Sequence, residues 1–195
     1  MTQHAPTRSG RTPCAQVTDA ATDHGKPVRL RDGRHLWLRP IESTDTTAIQ
    51  RCFTRLSADE IRMRFLYHMR ELPPPMAHNL CHIDPDVQAA NVLVDASIAP
   101  EEIRGVGRIY HDLVCNQAEF AVLVEKAWTG YGLGALLMQH LVDISRARGI
   151  DRLWGYVLIE NRPMLDLCRQ LGFNRLPLRG DPGTAIIALD LDRST

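Results

Sequence analysis

The chain has 195 residues, 44% of them hydrophobic and 24% charged, which is the composition of one globular domain with or without a tail. Lysine plus arginine and aspartate plus glutamate both number 23, so the basic excess expected of a protein living on nucleic acid or anionic lipid is missing. Five scattered cysteines without a CxxC pair read as reduced cytoplasmic thiols rather than a disulfide frame, and no apolar run approaches the roughly 18 residues that cross a membrane.

Residues 1–26 hold Thr, Ala, Ser, Pro and Gly with almost no large apolar side chains, and are expected to form a flexible tail too short for a regulatory domain. The domain is expected over 27–195. Val28 to Leu30 and Leu36 to Leu38 are short β-like runs around the turn signal Asp32-Gly33. Ser43 to Asp45 caps a helix with Ile49, Phe53 and Leu56 on one stripe. Ser57 and Glu60 have the spacing of a capping box for a second helix through Leu66. After three prolines, Pro75 opens a short helix toward His82.

Three strands then follow in series, Asn91 to Ile98, Ile103 to Tyr110 and Ala118 to Val124, joined by short polar loops that favour an antiparallel meander. Gly130 to Arg148 carries Leu133, Leu136, Leu137, Leu141 and Ile144 at helical spacing and stops at Gly149. A strand at Leu153 to Leu158, a helix at Asn161 to Leu171, and strands at Phe173 to Leu178 and Thr184 to Leu189 complete the chain. The order predicts an α/β fold, a mixed and largely antiparallel sheet with helices on both faces.

The segment with the most chemistry runs from Val122 to Leu137, where Gly130, Gly132 and Gly134 lie between a strand and the first turn of an amphipathic helix. Glycines let the backbone approach a bulky anion, and a helix start offers unpaired N–H groups at the positive end of its dipole. The plainer alternative is a turn that permits close helix–sheet packing. A P-loop is excluded because no Gly-Lys-Ser/Thr follows. Gly130, Gly132 and Ala135 fit G-x-G-x-x-G/A, with Glu160 as a later acid, but five residues separate Val124 from Gly130 and a meander precedes the loop.

At these residues the chain resembles the GNAT superfamily of acyl-CoA-dependent N-acyltransferases. The family loop Gln/Arg-x-x-Gly-x-Gly/Ala is matched by Thr129, Gly132 and Gly134, with Thr129 departing from the usual Gln or Arg. A second family block is matched from Asn161 to Phe173, with Cys168 where many relatives carry a Tyr that protonates the departing thiolate. The resemblance covers about residues 28–191. It is nearest to the acetyltransferase domain of bacterial protein lysine acetyltransferases, through Leu38 to Ile41, Arg64-Phe65, Ala118 to Val122 and Glu160 to Met164.

That resemblance implies a GNAT fold, acetyl-CoA as the acyl donor, no metal, and direct attack by an amine in a ternary complex. It implies that Thr129, Gly130, Tyr131, Gly132, Leu133, Gly134 and Ala135 surround the pyrophosphate. The backbone of Val122, Leu123 and Val124 would meet the pantetheine and the thioester oxygen, and Asn161 and Cys168 would lie along the cofactor arm. A protein lysine is the favoured acceptor, a small-molecule amine the runner-up, and a non-catalytic acyl-CoA-binding module a third possibility. The oligomeric state is left open.

Amine attack needs a proton acceptor, because a lysine with a pKa of about 10.4 is protonated near neutral pH. Glu119 alternates with Ala121 and Leu123 and is flanked by apolar residues, which would push its carboxyl upward toward a working base. On the residues alone, a strand-end carboxylate paired with Arg or Lys is the simpler reading; the resemblance implies the catalytic base. His78, Cys81 and His82 lack a fourth metal ligand, Trp37, Trp128 and Trp154 read as packing, and Arg62, Arg64 and Arg70 are expected on a solvated helix face, with contact to an acidic substrate as the alternative.

Overall fold

The computed structural model describes residues 16–17, 25–178 and 180–191. Most of the expected tail therefore lies outside the described residues. Within it, β1 (Gln16–Val17) pairs with β2 (Lys26–Arg29). A hairpin turned at Asp32-Gly33 joins β2 to β3 (His35–Pro40), and Arg34 Nε and its backbone N–H both donate to the Asp32 carboxylate.

Three helices follow: α1 (Thr46–Thr54), α2 (Ala58–Phe65) and α3 (Pro74–Cys81). The capping box at α2 forms as expected: the Glu60 N–H donates to Ser57 Oγ, and the Ser57 N–H donates back to the Glu60 carboxylate. Strands β4 (Gln88–Asp95), β5 (Glu102–Asp112) and β6 (Gln117–Val124) form the antiparallel meander. Strand β4 runs three residues earlier at both ends than the apolar pattern suggests. Asp95 ends it by accepting from the Ser97 N–H and hydroxyl, which turns the chain before Ile98.

Helix α4 (Leu133–Ala147) leads to β7 (Arg152–Leu158), α5 (Arg162–Gln170), β8 (Asn174–Pro177) and β9 (Thr184–Asp190). Among the described residues the nine strands form one sheet in the order β1-β2-β3-β4-β5-β6-β7-β9-β8. Every neighbouring pair is antiparallel except β6 and β7. The α/β expectation with helices on both faces is met.

Alternation along the strands assigns the faces. Val92 and Val94 point to α1, α2 and α3 with Ile49, Phe53, Ile61 and Ala77, whereas Leu93 points to α4 with Leu133 and Leu137. Helices α4 and α5 share the second face, where Met138, Leu141 and Cys168 pack on Phe120, Leu153 and Val157. Gly105 and Gly107 let α4 lie close to β5, since a Cβ on either would meet the Leu137 side chain at 3.3–3.4 Å. In β5 an extra residue, Arg104, opposes the Leu93/Val94 step, so Ile103 and Val106 reach the same face.

Candidate active site

Strands β6 and β7 are paired over Gln117 to Glu119 and Arg152 to Trp154, and no further. Beyond Glu119 the two strands diverge, leaving the backbone groups of Val122 and Val124 unpaired on the β7 side, whereas those of Leu123, expected there too, are turned to Val106 of β5 by the alternation of the ladder. A cleft opens there, lined by Glu119, Phe120, Ala121, Val122, Tyr156, Val157, Asn161 and Met164, with Met63 and Arg64 of α2 and Leu66 at its C-terminal end across from them.

Glu119 is half-buried and takes no hydrogen bond or ion pair from the described residues. Burial raises its carboxyl above the ordinary glutamate range, and the nearby Arg64 guanidinium opposes that shift without cancelling it. Across the ladder, Tyr110 of β5 stands opposite Glu119 and Arg108 opposite Ala121. A partnerless carboxylate with a raised pKa is suited to accept a proton.

The loop leaving β6 leads into an uncapped helix start. Buried Glu125 ends the strand, accepting from Arg55 Nη2 at 2.6 Å and Arg104 Nη1 at 3.2 Å. A single 3-10 turn, Lys126–Trp128, follows, and Thr129 closes it by donating its hydroxyl to the Lys126 carbonyl at 2.8 Å. Thr129 thus spends its side chain on the turn. Gly130 and Gly132 have φ of +83° and +81°, the left-handed region that glycine reaches without a Cβ penalty. No side chain caps α4, whose first internal bond is Leu136 N–H to the Gly132 carbonyl. The N–H groups of Leu133, Gly134 and Ala135 therefore have no intrahelical acceptor, at the positive helix end. These residues fit a pyrophosphate. Beside them, Arg34 stacks over Trp128 and Tyr131, 4.0 and 4.6 Å from the ring centres.

The Glu60 carboxylate ties α2 to this loop by accepting from the Lys126 N–H at 2.6 Å. Asn161 caps α5, its side-chain oxygen accepting from the Met164 N–H at 3.3 Å, while the residue also lines the cleft. Cys168 does not reach the cleft: it is 1% exposed in the core beneath α5, and burial pushes its thiol up to about 12. Such a thiol is a poor proton donor.

The arginines of α2 and the segment after it separate into different roles. Arg70 is exposed and Arg62 forms an ion pair with Glu160, but Arg64 turns inward, contrary to the solvated face expected of all three. The phase of the helix gives the reason: Arg64 stands three residues after buried Ile61 and so shares its inner face. Tyr156 and Met164 complete the lining without having been singled out in the sequence. Met164 lay within the block that resembles the family, whereas Tyr156 carried no signal. The His78 and His82 rings stack 3.5 Å apart, and the described residues contain no group of three or more side chains arranged for a metal.

Residues 53–173 match the model of the acetyltransferase (GNAT) family. The chain belongs to that family. An acetyltransferase of Pseudomonas aeruginosa is 34% identical to it over 146 residues, covering 74% of this chain and 77% of the relative. The GNAT domain of the Streptomyces lividans protein described as PAT (S. lividans PAT) superposes with a TM-score of 0.74 at 24% identity, covering 85% of this chain and 96% of that one. A spermidine N-acetyltransferase of Vibrio cholerae, solved with CoA and spermine, gives a TM-score of 0.64 at 17% identity over 80% of this chain and 95% of that one. This GNAT protein is thus an acetyltransferase, from a family whose acyl donor is acetyl-CoA. None of the described helices is long and apolar enough to cross a membrane.

Proposed function

We propose that this GNAT enzyme moves the acetyl group of acetyl-CoA to the lysine side chain of a protein, in the cytoplasm, with Glu119 as proton acceptor. The observation that carries the reading is a partnerless, half-buried carboxylate at the last paired residue of β6, where the sheet opens. The glycine loop holds the diphosphate on the amides of residues 130–135, and the unpaired β6 backbone at Val122 and Val124 holds the pantetheine and donates to the thioester oxygen. Bound acetyl-CoA supplies an acyl carbon open to attack.

As the neutral amine nitrogen bonds to that carbon, the carbonyl electron pair moves onto oxygen and the proton lost by nitrogen passes to the Glu119 carboxylate. Collapse of the tetrahedral adduct then breaks the carbon–sulfur bond, and CoA leaves with that electron pair as a thiolate, which takes a proton from Glu119 or solvent. A backbone N–H aimed at the developing oxyanion in a dry cleft contributes about 3 kcal/mol. Asn161 positions the cofactor arm while capping α5. Glu119 gives no support to a purely acyl-CoA-binding module, and the inward Arg64 repels a polycationic amine, which favours a peptide-borne lysine over a polyamine. The four described cysteines are free thiols, in keeping with a reducing compartment.

The test is thiol release from acetyl-CoA with and without acetylatable protein, combined with mass spectrometry of the acceptor. Release that requires protein, with new acetyl-lysine, is the expected result. Release with small amines alone overturns the protein assignment, and binding of acetyl-CoA without release overturns the catalytic one.

A further inference from the structure

Behind the cleft, a second cavity lies between α1, α2, α3 and β5. Its walls are mainly apolar, including Phe53, Phe65, Leu72 and Val106, and its charged lining residues are Arg64 and Arg108. Arg64 lines both spaces. The described acid that faces it is Glu119, which accepts no hydrogen bond from it. Arg108 is 1% exposed and donates to two neutral oxygens, the Tyr110 hydroxyl at 2.9 Å and the Leu80 carbonyl at 2.7 Å. Its Nε is buried with no partner.

Three other inward arginines of this chain are paired with acids, whereas Arg148, away from the cavity, donates to the Gln88 carbonyl and leaves its buried Nη1 without a partner. Arg39 meets Asp45, Arg55 meets Glu102 and Glu125, and Arg104 meets Asp95 and Glu125. Two neighbouring guanidinium groups in an apolar cavity, without an acid hydrogen-bonded to either, are costly to keep there. Their cost shows in Arg64, whose pKa is pushed down to about 10 by burial first and by Arg108 second. An anion between them would offset that cost and satisfy the orphaned Nε–H. The fold supplies the anion's seat next to the proton acceptor but not the anion.

We propose that Arg64 and Arg108 form a carboxylate subsite for the acceptor, so that the favoured amine carries a carboxylate near its reacting nitrogen. The proposal rests on the acetyl-transfer reading and narrows its substrate class. Arg64 spans the cleft and the rear cavity, so a carboxylate held there leaves the amine of the same molecule beside Glu119. Two sources share this chemistry: the acidic side chain of a residue neighbouring the target lysine, and the α-carboxylate of a free amino acid.

Two sets of matched acceptors distinguish the sources. One is terminally blocked lysine peptides with Glu or Gln beside the lysine; the other is free amino acids and their amides. In at least one set, kcat/KM for the acid is expected to exceed that for its neutral counterpart about tenfold, as a charge-assisted hydrogen bond gives. Arg64→Gln is expected to reduce that ratio to about one, and Arg64→Lys to retain part of it. Calorimetry with the N-acetylated acids and amides on the CoA-loaded protein reads the same preference without turnover. Thiol release with equal rates and equal product binding for acid and amide in both sets overturns the carboxylate subsite and leaves acetyl transfer standing. Arg64-dependent binding of the acids with no thiol release for any acceptor supports the subsite and overturns the transfer reading.

Discussion

Glu119 and Trp154 are the last register partners of the parallel β6–β7 ladder, and the strands part immediately after them. A carboxylate at that point sits at the mouth of the cleft while its strand remains anchored on the other side by β5. Position and protonation are therefore coupled: partial burial at the fork raises the Glu119 pKa, and the same fork leaves the backbone donors of Val122 and Val124 without a β7 partner.

Glu119→Gln is expected to lower kcat about 100-fold or more at neutral pH, the usual scale of general base catalysis, while the Kd for acetyl-CoA stays within about twofold. In the parent enzyme kcat/KM should rise with pH through an apparent pKa above the ordinary glutamate value, and the variant should lose that limb. Steady-state rates across pH, with calorimetry for the donor, check both. A variant with undiminished kcat ends the assignment.

The same residue has a stability signature of defined sign. Because its folded pKa is raised, the folded state holds the proton more tightly than the unfolded chain does. Stability from this group is fully present below the ordinary glutamate pKa and is lost as pH rises through the folded value. Glu119→Gln should accordingly match the parent near about pH 4 and be at least as stable near about pH 7.5. Thermal unfolding at the two pH values reads the difference, and a variant less stable than the parent only at the higher pH contradicts it.

Gly132→Ala separates binding from folding. The position has φ of +81°, so a Cβ there costs about 1–2 kcal/mol of strain or shifts the loop. Weaker acetyl-CoA binding, about tenfold in Kd, is expected with a small change in urea midpoint, because the residue lies at the edge of the core. Glu119→Gln should show the reverse pattern, with binding kept and turnover lost.

How much of this was legible in the sequence follows from the range of the forces involved. Local signals worked: Ser57 and Glu60 announced their capping box, Asp32-Gly33 its hairpin, and the alternation at Glu119, Ala121 and Leu123 a common face. The glycine loop was visible because positive φ and an uncapped helix start leave a mark in residue type. Arg64 was misread because its helix is short and polar on average: the phase puts Arg64 on the same row as Ile61, but only the packing of α2 on β6 shows that this row faces inward. Cys168 was placed by resemblance along the cofactor arm, whereas the helix turns it into the core beside Phe173. Tyr156 depends on the β6–β7 fork, a tertiary relationship that no local pattern encodes.

Glu125 tests whether the network behind the loop matters to the site. The residue is 5% exposed and its carboxylate receives Arg55 from the C-terminal end of α1 and Arg104 from β5, so one side chain joins a helix end, the bulged strand and the start of the glycine loop. Removing it leaves two guanidinium groups short of their shared acid, Arg104 retaining Asp95 and Arg55 retaining Glu102. Glu125→Ala is expected to destabilise the fold by about 3 kcal/mol, toward the lower end for breaking a buried ion pair because Arg55 is partly exposed. The loop begins at the next residue, so acetyl-CoA affinity should fall as well, even where the variant remains fully folded. Urea denaturation and calorimetry below the transition measure the two effects separately. A destabilised variant with unchanged donor affinity would show that the amides of residues 130–135 keep their arrangement without this anchor.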